Sequence, residues 1–559
     1  MKKIHYIYSA KFQVIWICSL LLIGCVTCNY AFCQSEQLGK VYGVGVFNIL
    51  DYGAKGDGET LNTAAIQAAI DSCAANKGGT VLVPSGNFLT GALVLKSNVA
   101  LHLAPTAVIL ASTNEKDYYL DGNRSQYFMS ANDAENITIE GMGTINGQGW
   151  EFPRGSESLP TDTFYLSKMK TGYATEKRFR PHMVCFLKCT NITLRDATFT
   201  QAAQCATYWR DCSYVNIDGV IIYNRANQTT DGIHMKNCEH ITISNAHVSG
   251  GDDAISIYNS ARNIAITNCF ISSRWAGIRL GPAAEGIFEN IAVSNCVIYD
   301  TYGCAIKMQM AAGGVMENIS FSDLIMNNVT GPISLNLTSF RGYHYNPKIK
   351  YSVGVIRNIY FRGIRATVVD KPYPTKIETP VFDGEKKSCI TITSVNDHYI
   401  ENISFSDVDI TFPGGGTAEE AARRDIPELR GIYPEYFMFG VLPSYGMYVR
   451  NVKGLTLDNV RFCYQGKELR HALVCEGVDG LDITGFRAKG NVDAEALIRL
   501  EQSKNVFIHN SRPLNDITTF LKVEGSMSSE IHLYGNNLGW ADKKVVIGKE
   551  VRSDAVMIK

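Results

Sequence analysis

The chain has 559 residues, and 53 Lys and Arg against 54 Asp and Glu leave it a net charge of −1 at pH 7. The two signs are interspersed, so there is no basic footprint for nucleic acid, and past residue 33 there is no second apolar run for a membrane span. No Pro/Ser-rich linker or charge block divides the remainder, so residues 34–559 are expected to form one elongated domain.

At the N-terminus, Lys2, Lys3 and Lys11 precede an apolar run from Val14 to about Thr27, then small residues up to Cys33 and a polar start at Gln34. A basic flank, a short apolar core and small residues describe a secretory signal, too short to persist as a membrane helix. Residues 1–33 are set apart as a signal peptide. Cleavage after Cys33 fits an ordinary signal peptidase, while Leu22-Ile23-Gly24-Cys25 fits a lipoprotein box that would leave a lipid anchor on Cys25. Either route exports the protein to the periplasm or the cell exterior.

Residues 47–60 are punctuated by Gly53, Gly56 and Gly58, after which Asn62 or Thr63 can cap a helix with the apolar face Ala65, Ile66, Ala69, Ile70 and Cys73. A turn and short strand follow at Gly78 to Pro84. A helix ahead of many strands would cover the open end of a stacked core.

From Asn136 a strand pattern recurs, Asn/x-Ile-x-Ile-x-Asn/Asp/Gly, with origins at Asn136, Asn191, Tyr214, His240, Asn263, Asn290, Asn318, Asn358, Asn402, Gly454, Gly480, Asn505 and Glu530. Uninterrupted spacings run from 23 to 28 residues, while 55, 40, 44 and 52 imply insertions or a missed copy. Each copy alternates apolar and polar residues and ends on residues suited to tight turns. Two helices per copy would not fit this period. The expected class is all-β: a single-stranded, right-handed parallel β-helix with an N-terminal helical cap, each strand pairing with the coil above and below. Cys189, Cys212 and Cys238 stand just before repeat strands and Cys269 and Cys296 just after, which predicts a buried ladder of small side chains rather than disulfides. No Cys-x-x-Cys pairing supports zinc, and no metal or other cofactor is expected.

Insertions can build walls on such a cylinder. Residues 147–183 and 338–351 are rich in Lys, Arg, Tyr and Phe, and residues 412–447 contain a predicted helix from Thr417 to Leu429 and the run Tyr433-Pro-Glu-Tyr-Phe-Met-Phe439. Basic and aromatic walls suit an anionic sugar, whose faces stack on rings and whose carboxylates pair with Lys and Arg. They also suit a merely solvated surface.

Between residues 228 and 257, Asp231 stands 21 residues before Asp252, with Asp253 next to it. That is close to one coil, so the carboxylates are expected on neighbouring layers, about 4.8 Å apart along the stack. Like charges that close raise at least one pKa and keep that group protonated, the condition for a general acid beside a general base. Gly250-Gly251 is expected to loosen the backbone, because adjacent aspartates cannot both face out of a regular strand. Turn chemistry or a calcium site is the bland alternative.

These segments resemble glycoside hydrolase family 28, the polygalacturonases and rhamnogalacturonan hydrolases on the pectin-lyase-like β-helix. The likeness rests on Tyr52-Gly-Ala-Lys-Gly-Asp-Gly58, the Asn62-Thr-Ala-Ala-Ile helix, Thr230-Asp231-Gly232 and Gly251-Asp252-Asp253. It implies an inverting hydrolase of a pectic polysaccharide or oligosaccharide, with Asp252 as general acid and Asp231 and Asp253 holding the water. It also gives Lys307 a substrate carboxylate or hydroxyl as partner. Where the family has Gly-His-Gly and Arg-Ile-Lys, this chain has Trp275-Ala276-Gly277 and Ala305-Ile306-Lys307, and Thr229 replaces an Asn. Arg279 is a candidate replacement contact, His234 could face the cleft, and Tyr258, Trp275 and Tyr302 are candidate sugar platforms. Loss of the histidine and arginine while the lysine stays implies rhamnogalacturonan or another branched pectin over plain homogalacturonan. A calcium-dependent uronate lyase or epimerase, and a non-catalytic carbohydrate-binding or adhesive β-helix, remain the competing classes.

Overall fold

In the computed structural model, the described residues are 45–559 except 121, 153–178, 227–228, 284–285, 340–351, 372–383, 429, 431–434 and 436. The expected signal peptide and the candidate anchor at Cys25 fall outside them, as do most of the 147–183 wall and, in the 338–351 wall, residues 340–351.

All thirteen repeat origins lie in the left-handed region, with φ between 53° and 78°. Asn and Gly are the residues that enter it at least cost, which is why the pattern opens on them. The asparagines also tie coils together: the Asn191 side-chain amide donates to Asn136 Oδ1 at 2.6 Å, and those of Asn358 and Asn402 donate to the origin before each at 3.2 Å. Where the origin is Tyr214 or His240, ring stacking at 4.7 Å replaces the amide bond. The irregular spacings are all insertions, since Glu135 pairs directly with Thr190, Glu317 with Arg357, Arg357 with Glu401 and Glu401 with Lys453.

Forty-one strands join in one continuous sheet wound into three faces, and among the described residues the antiparallel pair is the small Tyr119–Leu120 hairpin with Asn123–Arg124. The right-handed parallel β-helix expected from the repeat is the fold. One inward column, Ile233, Ile255, Ile278, Ile306 and Ile333, stacks isoleucine on isoleucine over five coils, all fully buried. Strand alternation therefore sends the next residue of each coil outward, giving a second column: Tyr208, His234, Ser256, Arg279, Lys307, Ser334, Thr391, Tyr448, Val474 and Arg499. The site is built on it. At the N-terminal end the helix Thr63–Ala75 buries Ile66, Ala69, Ile70 and Cys73 as expected, although Asn62 at its start holds Lys55 and Thr60 rather than capping it. The twelve cysteines from Cys73 to Cys475 are unpaired, and all but Cys463 are buried.

The 412–447 insertion departs from its expected helix. Among its described residues only Ala418–Ala421 is helical, started by a Thr417–Glu420 capping box. Pro427 disfavours continuation, and the carbonyls of Ile426 and Pro427 are taken instead by Arg450 at 2.7 and 3.0 Å. Further arginines pin the segment: Arg499 donates to the carbonyls of Ala421 and Arg423 at 3.2 and 3.1 Å, and Arg424 pairs with Glu495 and Glu524. Ile426, Phe437, Met438, Phe439 and Leu442 then pack on Cys304, Cys389, Tyr448 and Val474, a small second core on the outer face of the coils.

Candidate active site

Asp231 and the Asp252-Asp253 pair lie in the turns that lead into the strands Ile233–Ser244 and Ile255–Thr267. The two turns are layered: Gly232 N–H donates to the Asp253 carbonyl at 3.0 Å, and Asp252 N–H to the Thr230 carbonyl at 3.1 Å. Because neither aspartate is inside a strand, their side chains are free to diverge. Gly250 makes the turn possible, since a Cβ there would sit 2.7 Å from the Asp252 carbonyl oxygen.

The three carboxylates have different surroundings. Asp231 is 7% exposed, its Oδ2 accepts from Ser256 Oγ at 2.7 Å and lies 2.6 Å from His234 Nδ1. Burial pushes this carboxyl up, but the His234 bond and charge, with Ser256 and Arg279, outweigh it and hold the group below the usual carboxylate value. Asp253 is 1% exposed and accepts from Arg279 Nη1 at 3.2 Å, Tyr258 Oη at 3.4 Å and Ala276 N–H at 3.2 Å. Burial raises it, with Arg279 and Lys307 opposing. Asp252 is half-buried, and its Oδ1 accepts the Asp253 N–H at 3.0 Å. Burial, then the charges of Asp253 and Asp231, push it well above the ordinary range. The arrangement sets a carboxyl that keeps its proton beside one that gives it up, the pairing acid–base catalysis needs.

The other expected contacts are turned inward. The Arg279 guanidinium is 2% exposed and donates to Asp253, to Gln309 Oε1 at 2.9 Å and to the Gly281 carbonyl at 3.1 Å, so it orients Asp253 rather than reaching outward. Lys307 is fully buried, and its Nζ donates to Glu435 Oε2 at 2.6 Å, because a buried ammonium requires a partner and the insertion supplies one. Tyr258 has His234 stacked at 4.8 Å from the coil before and Arg279 at 5.4 Å from the coil after, which uses its faces internally. Trp275 lies under the Lys307 ammonium at 4.7 Å and against the edge of Phe437. Tyr302 is not a platform: it belongs to the core, 7% exposed, with its hydroxyl accepting from Asn328 at 3.1 Å. His234, by contrast, keeps 18% of its side chain exposed, stacked between Tyr208 and Tyr258.

Sequence reasoning missed Ser256, Gln309, Tyr208 and Glu435. The first three could have been found by placing the stretches around residues 208, 256 and 309 on strands and reading the outward positions beside the inward Trp209, Ile255 and Ile306. Glu435 stands 128 residues from Lys307 in an aperiodic insertion and carries no such signal. Cys205 Sγ, an Asp231 oxygen and a His234 nitrogen lie within 4.8 Å of one another, and burial pushes the Cys205 thiol well above its ordinary value.

Residues 73–419, more than half of the chain, match the model of glycosyl hydrolases family 28. The chain belongs to this family. Among curated relatives, it is 29% identical to the exo-poly-alpha-D-galacturonosidase of Dickeya chrysanthemi over 47% of this chain and 52% of that protein. It is 26% identical to polygalacturonase-2 of Solanum lycopersicum, over 59% of this chain and 70% of the other. The match thus spans about half the length of the Dickeya protein. The exopolygalacturonases of Thermotoga maritima and Yersinia enterocolitica share the fold, with TM-scores of 0.54 and 0.56 at 21% and 19% identity. They align over 78% and 79% of this chain, and over 96% and 78% of their own. Within the family 28 match lie Asp231, Asp252, Asp253, Arg279 and Lys307; Glu435 lies beyond it. Ala276 and Ala305, which stand where the family pattern carries His and Arg, are fully buried.

Proposed function

We propose that this family 28 protein hydrolyses a glycosidic bond of a pectic chain by an inverting acid/base mechanism. Asp252 donates its proton to the leaving oxygen, while Asp231, with Asp253, orients and deprotonates the attacking water. The observation that carries this reading is the split between a half-exposed carboxyl pushed up and a hydrogen-bonded neighbour held down. The named substrates of the relatives, galacturonans, support a pectic chain here too.

Two finer points belong to the same reading. The insertion packs over the outward column from Lys307 onward, so a polymer meets a wall on that side of the carboxylates. That supports release of small products from a chain end. Lys307 and Arg279 are already paired with carboxylates of the protein, and no His or Arg stands at 276 or 305. That supports rhamnogalacturonan or another branched pectin over unbranched homogalacturonan. The N-terminal signal supports an exported enzyme.

Product analysis on polygalacturonan and rhamnogalacturonan fragments tests all of this. Expected are small products from the first minutes, from rhamnogalacturonan in preference. A ladder of long fragments would remove chain-end action, galacturonic acid released only from polygalacturonan would remove the preference, and an unsaturated, ultraviolet-absorbing product would replace hydrolysis by a lyase reaction.

A further inference from the structure

Below the catalytic carboxylates the outward column carries two successive cations, Arg279 and Lys307. Such a pair would ordinarily grip a uronate carboxylate, and here a carboxylate of the chain already stands there. Glu435 Oε2 accepts from Lys307 Nζ at 2.6 Å, and Oε1 lies 3.9 Å from Arg279 Nη2 and accepts no hydrogen bond. We propose that Glu435 is a specificity-determining residue, which occupies the uronate position against Lys307 and Arg279 and reserves the site beside the cut for a neutral sugar. The proposal rests on the pectin-hydrolase reading above and names the residue behind its substrate preference.

Three observations support a fixed role over a chance surface pairing. Both partners are fully buried, where an ion pair is far less screened than on the surface. Glu435 is followed by Phe437, Met438 and Phe439, which anchor it in the small outer core with Trp275, Tyr448 and Val474, and its N–H donates to Met438 Sδ at 3.0 Å. Charges also balance: Asp253 takes Arg279 and Glu435 takes Lys307, so each of these two cations already has a carboxylate of the chain. With both cations covered and held by carboxylates of the chain, a uronate beside them finds no partner for its charge, while a neutral sugar needs none.

The test uses the full chain and has a binding arm that does not depend on turnover. Glu435→Ala should melt below wild type, because it strands a buried ammonium. Free galacturonic acid should recover part of that loss, rhamnose should not, and the double variant Lys307→Met/Glu435→Ala should lose the response. In kinetics, Glu435→Gln should raise kcat/KM on oligogalacturonides relative to rhamnogalacturonan oligosaccharides by about tenfold or more, the scale of one charge-assisted hydrogen bond. Galacturonate that leaves Glu435→Ala unmoved, or stabilises wild type equally, overturns the proposal, as does an unchanged substrate ratio in Glu435→Gln. A folded wild type that turns over no pectic substrate would defeat the hydrolase reading, and the melting comparison would still decide Glu435.

Discussion

One column of outward residues runs down one face of the helix, and its two halves meet different surroundings. In the upper half Tyr208, His234 and the adjoining Asp252 keep part of their surface, while Ser256 and Arg279 are buried by the carboxylates they hold, Asp231 and Asp253. In the lower half Lys307, Ser334, Thr391, Tyr448, Val474 and Arg499 are all buried. Backbone geometry does not distinguish them, because strand pairing carries the same register through both. The difference is made by the insertion, whose apolar residues cover the lower strands and whose arginine contacts hold it down. A β-helix thus supplies evenly spaced positions, and loops decide which of them meet a ligand.

The largest effect should come from the open half. Asp252→Asn and Asp231→Asn should each lower kcat by roughly two to four orders of magnitude, the usual range for a positioned acid or base, with the fold intact by circular dichroism. Near-normal turnover in either variant would end the assignment. The covered half should respond differently. Arg499→Ala removes the donor to the carbonyls of Ala421 and Arg423, leaving them under-satisfied at a cost of roughly 1–3 kcal/mol. The expected result is a lower Tm and products of greater mean length, read by chromatography, while chemistry at Asp252 persists. Unchanged products would mean that the insertion does not limit how far a chain runs along the face.

How far the sequence could be read follows the same division. The coils were legible because Asn136, Asn191 and their successors must adopt positive φ, and because Ile-His, Ile-Ser, Ile-Arg and Ile-Lys pairs alternate inward and outward. The carboxylates were legible because Asp231 and Asp252 stand one coil apart. Partners across a turn or an insertion were not. Tyr302 precedes the strand Cys304–Met310 in a turn, where strand alternation no longer sets direction, and it folds into the core. Lys307 reads as a ligand contact only while Glu435 is out of view, and an aperiodic segment gives no register to place it.

A smaller effect sharpens the roles within the open half. The proposed mechanism needs Asp252 protonated and Asp231 ionised, so the rate should fall as pH rises through the raised Asp252 value and as pH drops through the lowered Asp231 value. Replacing Asp253 by Asn removes the largest neighbouring charge that pushes Asp252 up. It also releases Arg279 from its partner, which favours ionised Asp252 further. The alkaline limb of the residual activity in Asp253→Asn should therefore move to lower pH, as measured by kcat/KM profiles. A limb that stays in place would assign it to some other group.

The smallest effect is on stability, and it should have opposite signs for the two aspartates. Asp252 binds its proton more tightly in the folded state than in the unfolded one, so the stability it contributes is full below the ordinary carboxylate value and is lost as pH rises through the window up to its raised value. Asparagine keeps an oxygen for the Asp253 N–H at no charge cost. Asp252→Asn should then melt a few degrees above wild type near neutral pH, with the gain fading toward about pH 3 to 4. Asp231 is the reverse case: its lowered value means its stabilisation is present above the ordinary range and is lost as pH falls through the folded value. Asp231→Asn should melt below wild type at neutral pH, because His234 and Ser256 lose their charged acceptor, and the gap should close in acid. Melting curves of the two variants across that range test the split directly. Shifts of the same sign would show that the two carboxyls share one environment, and the division between acid and base would have to be drawn elsewhere.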